Sequence, residues 1–222
     1  MIKNIVLSLI PAKKKSYRFK DKNFFIYKRK PIYLRAVHQS LMSKFVTATY
    51  ISSNADLILT NSSKLGAVPI KRPEYLCKKL SLADDVIFHF IKKLPRDIVS
   101  KNPTLIYLQP TSIKRNIQHI NKAIKLFFSS KAKVLISVKK FNSNVLKGFV
   151  IKNTFIEPVS KKFTHSNDQI LPGFYLQNGA IYIFKIKDFL IEKKIPNDKI
   201  IPFIMNDNDS FDLNTIQDLK NI

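Results

Sequence analysis

Three stretches of the chain hold the side chains best suited to chemistry. Residues 11–30 are polar and Lys-rich, and Lys13, Lys14, Lys15 and Arg18 there are cations able to neutralise phosphate. Gln109-Pro110-Thr111-Ser112 places an amide and two hydroxyls directly after an apolar run. Near the C-terminus, residues 206–222 hold Asp207, Asp209, Asp212 and Asp218 against Lys220, whereas residues 1–35 hold eleven Lys or Arg and one acid, Asp21. Carboxylates suit a hard cation such as Mg2+. A basic N-terminal loop facing an acidic C-terminal one would therefore suit a substrate that brings phosphate and a cation together, or the asymmetry is coincidence. Arg72 by itself reads as a surface charge in an exposed loop.

Other chemistries lack their residues. The chain has 4 Gly, and neither GxGxxG nor GxxxxGK[ST] occurs. Cys77 is the only cysteine, so there is no disulfide framework and no thiolate metal site. His38, His89, His119 and His165 are scattered without metal-ligand spacing, and His38 and His119 read as surface positions on helices. The formal charge of +24 could mark a nucleic-acid binder. Of the 39 basic residues, however, 33 are Lys and 6 are Arg, and readout of phosphate and bases favours Arg. Compositional drift is the better explanation, and nucleic acid is not the expected partner.

These groups need a scaffold. A chain of 222 residues with 45% hydrophobic content is long enough for one well-filled core. Asn4–Ile10 reads as a buried strand ended by Pro11. Pro31 can open a helix over 31–43. Strands follow at Phe45–Ile51, Val68–Ile70, Thr104–Leu108, Lys133–Val138 and Ala180–Phe184. Helices are expected at Asn54–Leu65, closed by Gly66, at 81–94, at Asn116–Ser129, at 185–194 and at 214–222. Residues 139–177 read as irregular and polar. Alternating strands and helices predict an α/β protein with a mostly parallel sheet covered on both faces. Ligands then bind at the C-terminal strand ends, in loops starting at Pro11, Ser52 and Gln109. Ile2–Ala12 has a leader-like look, but its apolar run is short and the following charges oppose export. No run of about 18 apolar residues predicts a membrane span, and a reducing cytoplasm fits the cysteine content.

The same loops carry a family likeness. Ile10-Pro11-Ala12-Lys13-Lys14-Lys15-Ser16, followed by Lys22-Asn23, resembles the I-P-A-R-x-x-S-K-G and K-N motifs of acylneuraminate cytidylyltransferases, the CMP-sialic acid synthetases. Ser52-Ser53-Asn54 sits at that family's S-T-D, and Arg72-Pro73 at its R-P. Leu108-Gln109-Pro110-Thr111-Ser112 with Arg115 is similar to L-Q-P-T-S-P-L-R. Asn178-Gly179-Ala180-Ile181-Tyr182 matches N-G-A-I-Y, and Ser210-Phe211-Asp212-Leu213-Asn214 sits at S-I-D-I-D. Each piece is short; their common order over residues 5–220 carries the resemblance.

The resemblance implies a Rossmann-like, three-layer nucleotide-diphospho-sugar transferase fold in a single domain over 1–222, with 139–177 as a dimerisation insertion. It implies a homodimer that uses CTP and a sialic-acid-like keto sugar acid, with Mg2+, to give a CMP-sugar and pyrophosphate. It gives Lys13, Gln109 and Asp212 catalytic roles, with Asp212 also on the metal. It puts Ala12, Ser16, Asn23, Ser53, Asn54 and Arg72 on the nucleotide, and Gln109, Thr111, Ser112, Gln169 and Asn178 on the sugar acid. The chain also departs from the pattern. Lys13 replaces an Arg, Tyr17 a Lys and Arg18 a Gly. Lys79-Leu80-Ser81-Leu82-Ala83 replaces D-T-A-S-S, Asp168 an Arg and Asn214 an Asp. Asn214 could instead cap a terminal helix, and Asp209 could stand in as a carboxylate. An inactive relative kept for binding or assembly is the alternative function, and a basic nucleic-acid binder the second.

Overall fold

A computed structural model describes residues 4–221. Ile2 and Lys3, at the start of the leader-like stretch, and Ile222, at the end of the expected terminal helix, lie outside the described residues.

Strand β1 (Val6–Pro11) alternates Val6 and Ile10 toward one buried layer with Leu7 and Leu9 toward the other, as a strand buried on both faces must. It pairs in parallel on one edge with β4 (Ala48–Ser53) and on the other with β6 (Thr104–Tyr107). A small hairpin, β2 (Ile26–Tyr27) with β3 (Lys30–Pro31), interrupts the opening loop. The main sheet continues through β5 (Val68–Lys71), β7 (Val134–Phe141), β10 (Phe174–Lys185) and β11 (Ile200–Ile204). Its order is β11-β7-β10-β6-β1-β4-β5, and only β10 runs against its neighbours. A separate hairpin, β8 (Phe149–Lys152) with β9 (Phe155–Pro158), stands apart from it.

Helices α1 (Ile32–Leu41), α2 (Asp56–Ser63) and α5 (Ile117–Ser129) cover one face. Helices α3 (Ala83–Lys93) and α6 (Ile186–Glu192) cover the other, giving three layers. Their burial follows the expected spacing. Val86, Ile87, Phe90 and Ile91 are the buried residues of α3, which has Asp84 and Asp85 in its first turn and Lys92 and Lys93 in its last, matching the helix dipole. Asn116 caps α5 in a reciprocal box with His119. Gly66, at φ +102°, lets the chain turn back after α2. No described helix is long and apolar enough to cross a membrane.

Several expectations are corrected. The second strand starts at Ala48 rather than Phe45, because the Thr47 amide first bonds the Val6 carbonyl and sets the register. Helix α4 (Arg96–Ser100), entered from Pro95, and strand β11 are additional elements. Residues 139–177 are not simply irregular: β7 and β10 extend as an antiparallel arm out to Phe141 and Phe174, and β8–β9 follows between them. The C-terminus forms a short 3-10 turn, Gln217–Asn221, rather than an α-helix. Asp218 reaches back to accept from the Asn214 and Thr215 amides, and the Asn214 side-chain oxygen accepts from Arg18 and Lys22 instead of from the turn, so Asn214 is not its cap. His119 is half-buried rather than at the surface, with Nε2 3.5 Å from Asp209. His38 is exposed as expected.

Strand β10 carries a bulge between Gln177 and Tyr182, opposite Ser137. Ser137 Oγ donates to Asn178 Oδ1 at 2.6 Å and accepts from the Ile181 amide at 2.7 Å. Asn178 Nδ2 donates to Ser210 Oγ at 2.9 Å, tying the bulge to the C-terminal segment. The Asn178→Ala change strands buried partners on three segments. Urea denaturation should show a loss of about 2–3 kcal/mol, near the upper range for buried hydrogen bonds. A loss near zero would mean that water replaces the amide.

Candidate active site

A cleft of about 530 Å³ opens at the C-terminal ends of β1 and β6, between the opening loop and the 72–86 segment. Parallel pairing puts the loops after Pro11 and Tyr107 side by side. Because β10 is antiparallel, Tyr182 pairs with Tyr107 and the preceding bulge lies alongside Leu108 and Gln109. Gly179 there has φ +74°, and a Cβ on it would approach Gln109 Oε1 to 3.1 Å and Asp212 Oδ2 to 3.8 Å. The positive φ favours glycine here, and a Cβ would in addition crowd the Gln109 amide. Gln109, the bulge and Asp212 meet at one point.

A buried cation fixes that point. Arg115 is 1% exposed and has no carboxylate among its hydrogen-bond partners. Its Nη1 donates to the Gln109 carbonyl at 2.9 Å and to the Ala180 carbonyl at 2.7 Å, and its Nε to Gln39 Oε1 at 3.3 Å. Burial, with Arg35 nearby, pushes its guanidinium down to about 9. The end of β6 and the bulge of β10 are thus braced against each other.

The opening loop and the C-terminal segment are held together by apolar contact. Ile32, Ile113 and Leu213 form a small buried cluster against which Phe19, Phe25, Phe211 and Leu219 pack. The basic loop does face the C-terminal segment. Arg18 Nη2 donates to Asn214 Oδ1 at 3.2 Å, and Lys22 Nζ donates to the same oxygen at 3.4 Å. Asn214 Nδ2 donates to Asp212 Oδ2 at 2.6 Å, while Asp212 Oδ1 is buried without a partner. Lys22 is 9% exposed. Burial lowers its pKa and the Asp212 carboxylate partly restores it.

Lys13, also on the cleft lining, donates from Nζ to the Lys78 carbonyl at 3.2 Å. Burial depresses this ammonium, with Arg72 and Arg18 adding to the effect. Arg72 is not in an exposed loop. It is 4% exposed, with Nε on Ser52 Oγ at 3.0 Å and Nη2 on the Ser52 carbonyl at 2.7 Å. Leu76, Leu80, Leu82, Ala83 and Val86 make an apolar wall near it.

Of the residues named from sequence, Lys13, Ser16, Asn23, Arg72, Gln109 and Thr111 line this cleft. Asp212 adjoins it through Asn214 and Gly179. The others support it or lie elsewhere. Ala12 is buried, with its amide on the Ser52 carbonyl. Ser53 Oγ accepts from the Ala55 amide at the entry to α2. Asn54 accepts from the Lys14 amide and donates to Glu74. Ser112 is buried with its hydroxyl unpaired, and Asn178 is occupied in the bulge network. Gln169 sits exposed in a 3-10 turn away from the cleft lining, beside Asp168, which pairs with Lys147 at 2.8 Å. Asp209 turns to His119 and Asn206 rather than toward Asp212.

Lys79 and Tyr107 line the cleft without having been picked out as site residues, as does Lys22, which the sequence marked only through the Lys22-Asn23 pair; Arg18, named as a phosphate-neutralising cation, lines it too. Tyr107 could have been found as the last residue of a strand whose end faces the ligand edge. For a divalent cation, the buried, unpartnered oxygen of Asp212 is a fitting ligand. Among the described residues no three His, Cys, Asp or Glu side chains gather to form a cage. A metal here would need further ligands from a bound molecule, as Mg2+ commonly does with phosphates.

Comparison with known proteins bears on the same surfaces. The chain is 24% identical to a pseudaminic acid cytidylyltransferase of Campylobacter jejuni over 217 residues, 96% of this chain and 93% of that protein. It is 24% identical to an N-acylneuraminate cytidylyltransferase of Escherichia coli over 97% of its own length and 50% of that protein. A CMP:2-keto-3-deoxy-manno-octonic acid synthetase solved with CTP superposes with a TM-score of 0.72 at 13% identity, covering 98% of this chain and 96% of that one. A 4-diphosphocytidyl-2C-methyl-D-erythritol synthase structure gives 0.68 at 12% identity, covering 100% and 97%. The cytidylyltransferase family model matches residues 7–220. The chain thus belongs to the cytidylyltransferase family, as a divergent member of its acylneuraminate group.

Proposed function

We propose that the protein transfers CMP from CTP to a keto sugar acid, releasing pyrophosphate. The observation that carries this reading is the meeting of Gln109, Gly179 and Asp212 at the rim of a cation-lined cleft. The relatives named for pseudaminic and acylneuraminic acids support a nonulosonic acid as acceptor. In the reaction, the sugar's anomeric hydroxyl attacks the α-phosphorus. A new oxygen–phosphorus bond forms, the bond to the bridging oxygen of the β-phosphate breaks with that oxygen leaving on pyrophosphate, and the hydroxyl proton passes to solvent.

The chain's own groups divide the work. The basic end of the cleft, with Lys13, Lys22 and Arg18, holds the phosphates. The apolar wall from Leu76 to Val86 packs the base, with Arg72 and Ser16 at its edge. Asn23 Nδ2 donates to the Lys13 carbonyl at 2.8 Å and so shapes the phosphate loop. Gln109, with Thr111 beyond it, orients the sugar acid, and Arg115 sets the position of Gln109. Asp212 Oδ1 would hold Mg2+, and the ion would supply positive charge to offset that of the phosphates.

The reading includes a homodimer through residues 139–177. Ile151 and Phe155 on the β8–β9 hairpin are 80% and 78% exposed, and Phe149, Ile156 and Ile170 extend the apolar surface. A second copy of this surface would remove it from water.

Pyrophosphate release from CTP and Mg2+ should appear with at least one member of a panel of nonulosonic and octulosonic acids. No release with any, alongside measurable CTP binding, would favour the inactive-relative alternative. Gln109→Ala should raise KM for the sugar acid and lower kcat by about 100-fold, while CTP affinity changes little. An equal loss of CTP affinity would remove Gln109 from the sugar side. Ile151→Glu with Phe155→Glu should convert a dimer to a monomer in light scattering. A wild-type monomer would end the dimer proposal.

A further inference from the structure

The cleft has an unusual balance of charge. Among its described lining residues five are Lys or Arg, and none is Asp or Glu. Mg2+ at a nucleotide site is commonly held by one or two carboxylates together with the phosphates themselves. Here the carboxylate nearest the basic end is Asp212, and it offers one free oxygen.

The residue beside it decides the rest. Asn214 is polarised in one direction. Its amide oxygen accepts from Arg18 and Lys22, and its amide nitrogen donates to Asp212. That oxygen is engaged by two cations and is not offered to a third. A carboxylate in its place would form charge-assisted ion pairs with Arg18 and Lys22. The neutral amide holds them by weaker bonds, so an arriving phosphate can take both. Arg18 is exposed apart from its bond to Asn214, whereas Lys22 is nearly buried and already desolvated. A cation whose desolvation is already met in folding gives more net attraction when an anion arrives.

We infer that Arg18 and Lys22, held in place by the neutral Asn214 amide, bind the nucleotide's phosphates directly, so that nucleotide affinity is nearly independent of divalent cation. The requirement for Mg2+ then falls on the chemical step rather than on binding. The inference rests on the cleft being the nucleotide site.

The test is calorimetric titration of CTP into the full chain, once in Mg2+ and once in EDTA. The two dissociation constants should agree within about threefold for the natural protein. Arg18→Ser should weaken binding in EDTA by about tenfold, and Arg18→Lys should recover most of the loss. Asn214→Asp should weaken binding in EDTA by about tenfold and regain it when Mg2+ is added. Arg18 is exposed, so its variants should fold, and circular dichroism checks this. A natural protein that binds CTP in Mg2+ but loses more than about tenfold in EDTA overturns the inference and leaves the nucleotide site standing. Equal binding by Arg18→Ser in EDTA also overturns it. No CTP binding in either buffer overturns the nucleotide site as well.

Discussion

Strand β1 is hydrogen-bonded in parallel along both edges, and the candidate site depends on that pairing. Two parallel neighbours force the loops after β1, β4 and β6 to leave the sheet on the same side. The antiparallel insertion of β10 next to β6 then delivers its bulge to that same rim from the opposite direction. A sheet with β10 reversed would carry the same residues and no meeting of Gln109 with Gly179. The hydrophobic layers above and below lock the register, since slipping by one residue would turn Leu7 and Leu9 into the wrong layer.

Buried cations without carboxylate partners are the electrostatic theme of this fold. Arg115 and Arg72 are each almost fully buried, and each is bonded largely to main-chain carbonyls. Such placement costs desolvation. In return, a rigid guanidinium fork joins segments distant in sequence, and it raises the positive potential along one side of the cleft. Lys22 and Lys13 line the cleft as well, both with ammonium groups depressed by burial. An anionic ligand would relieve what folding leaves uncompensated, which is a physical reason for the cleft to select phosphates.

The departures from the family pattern cluster around this theme. An arginine at position 18 and an amide at position 214 are in direct contact. They read as two sites of damage in the sequence and as one interaction in the structure. Asp168 differs: it pairs with Lys147 on the arm, and nothing in the structure explains the loss of arginine there in terms of a sugar acid. The lysine-rich surface likewise needs no nucleic-acid partner to account for the charges that line the cleft.

Sequence alone determined the layered α/β class, most helices and the family, and it named two of the loops that line the cleft, those starting at Pro11 and Gln109, because these rest on local periodicity and on motif order. It could not extend β7 and β10 into an arm or find β11, since strand pairing between distant segments is not a local property. It also misjudged Arg72, His119 and Asn214. Each is a polar residue whose environment is supplied by chain far away: Ser52 for Arg72, Asp209 for His119, and Arg18 and Lys22 for Asn214. Burial of a polar side chain depends on partners that only tertiary packing brings into reach. For that reason the sequence could nominate Gln109 and Asp212, and only the folded sheet could place them at one rim.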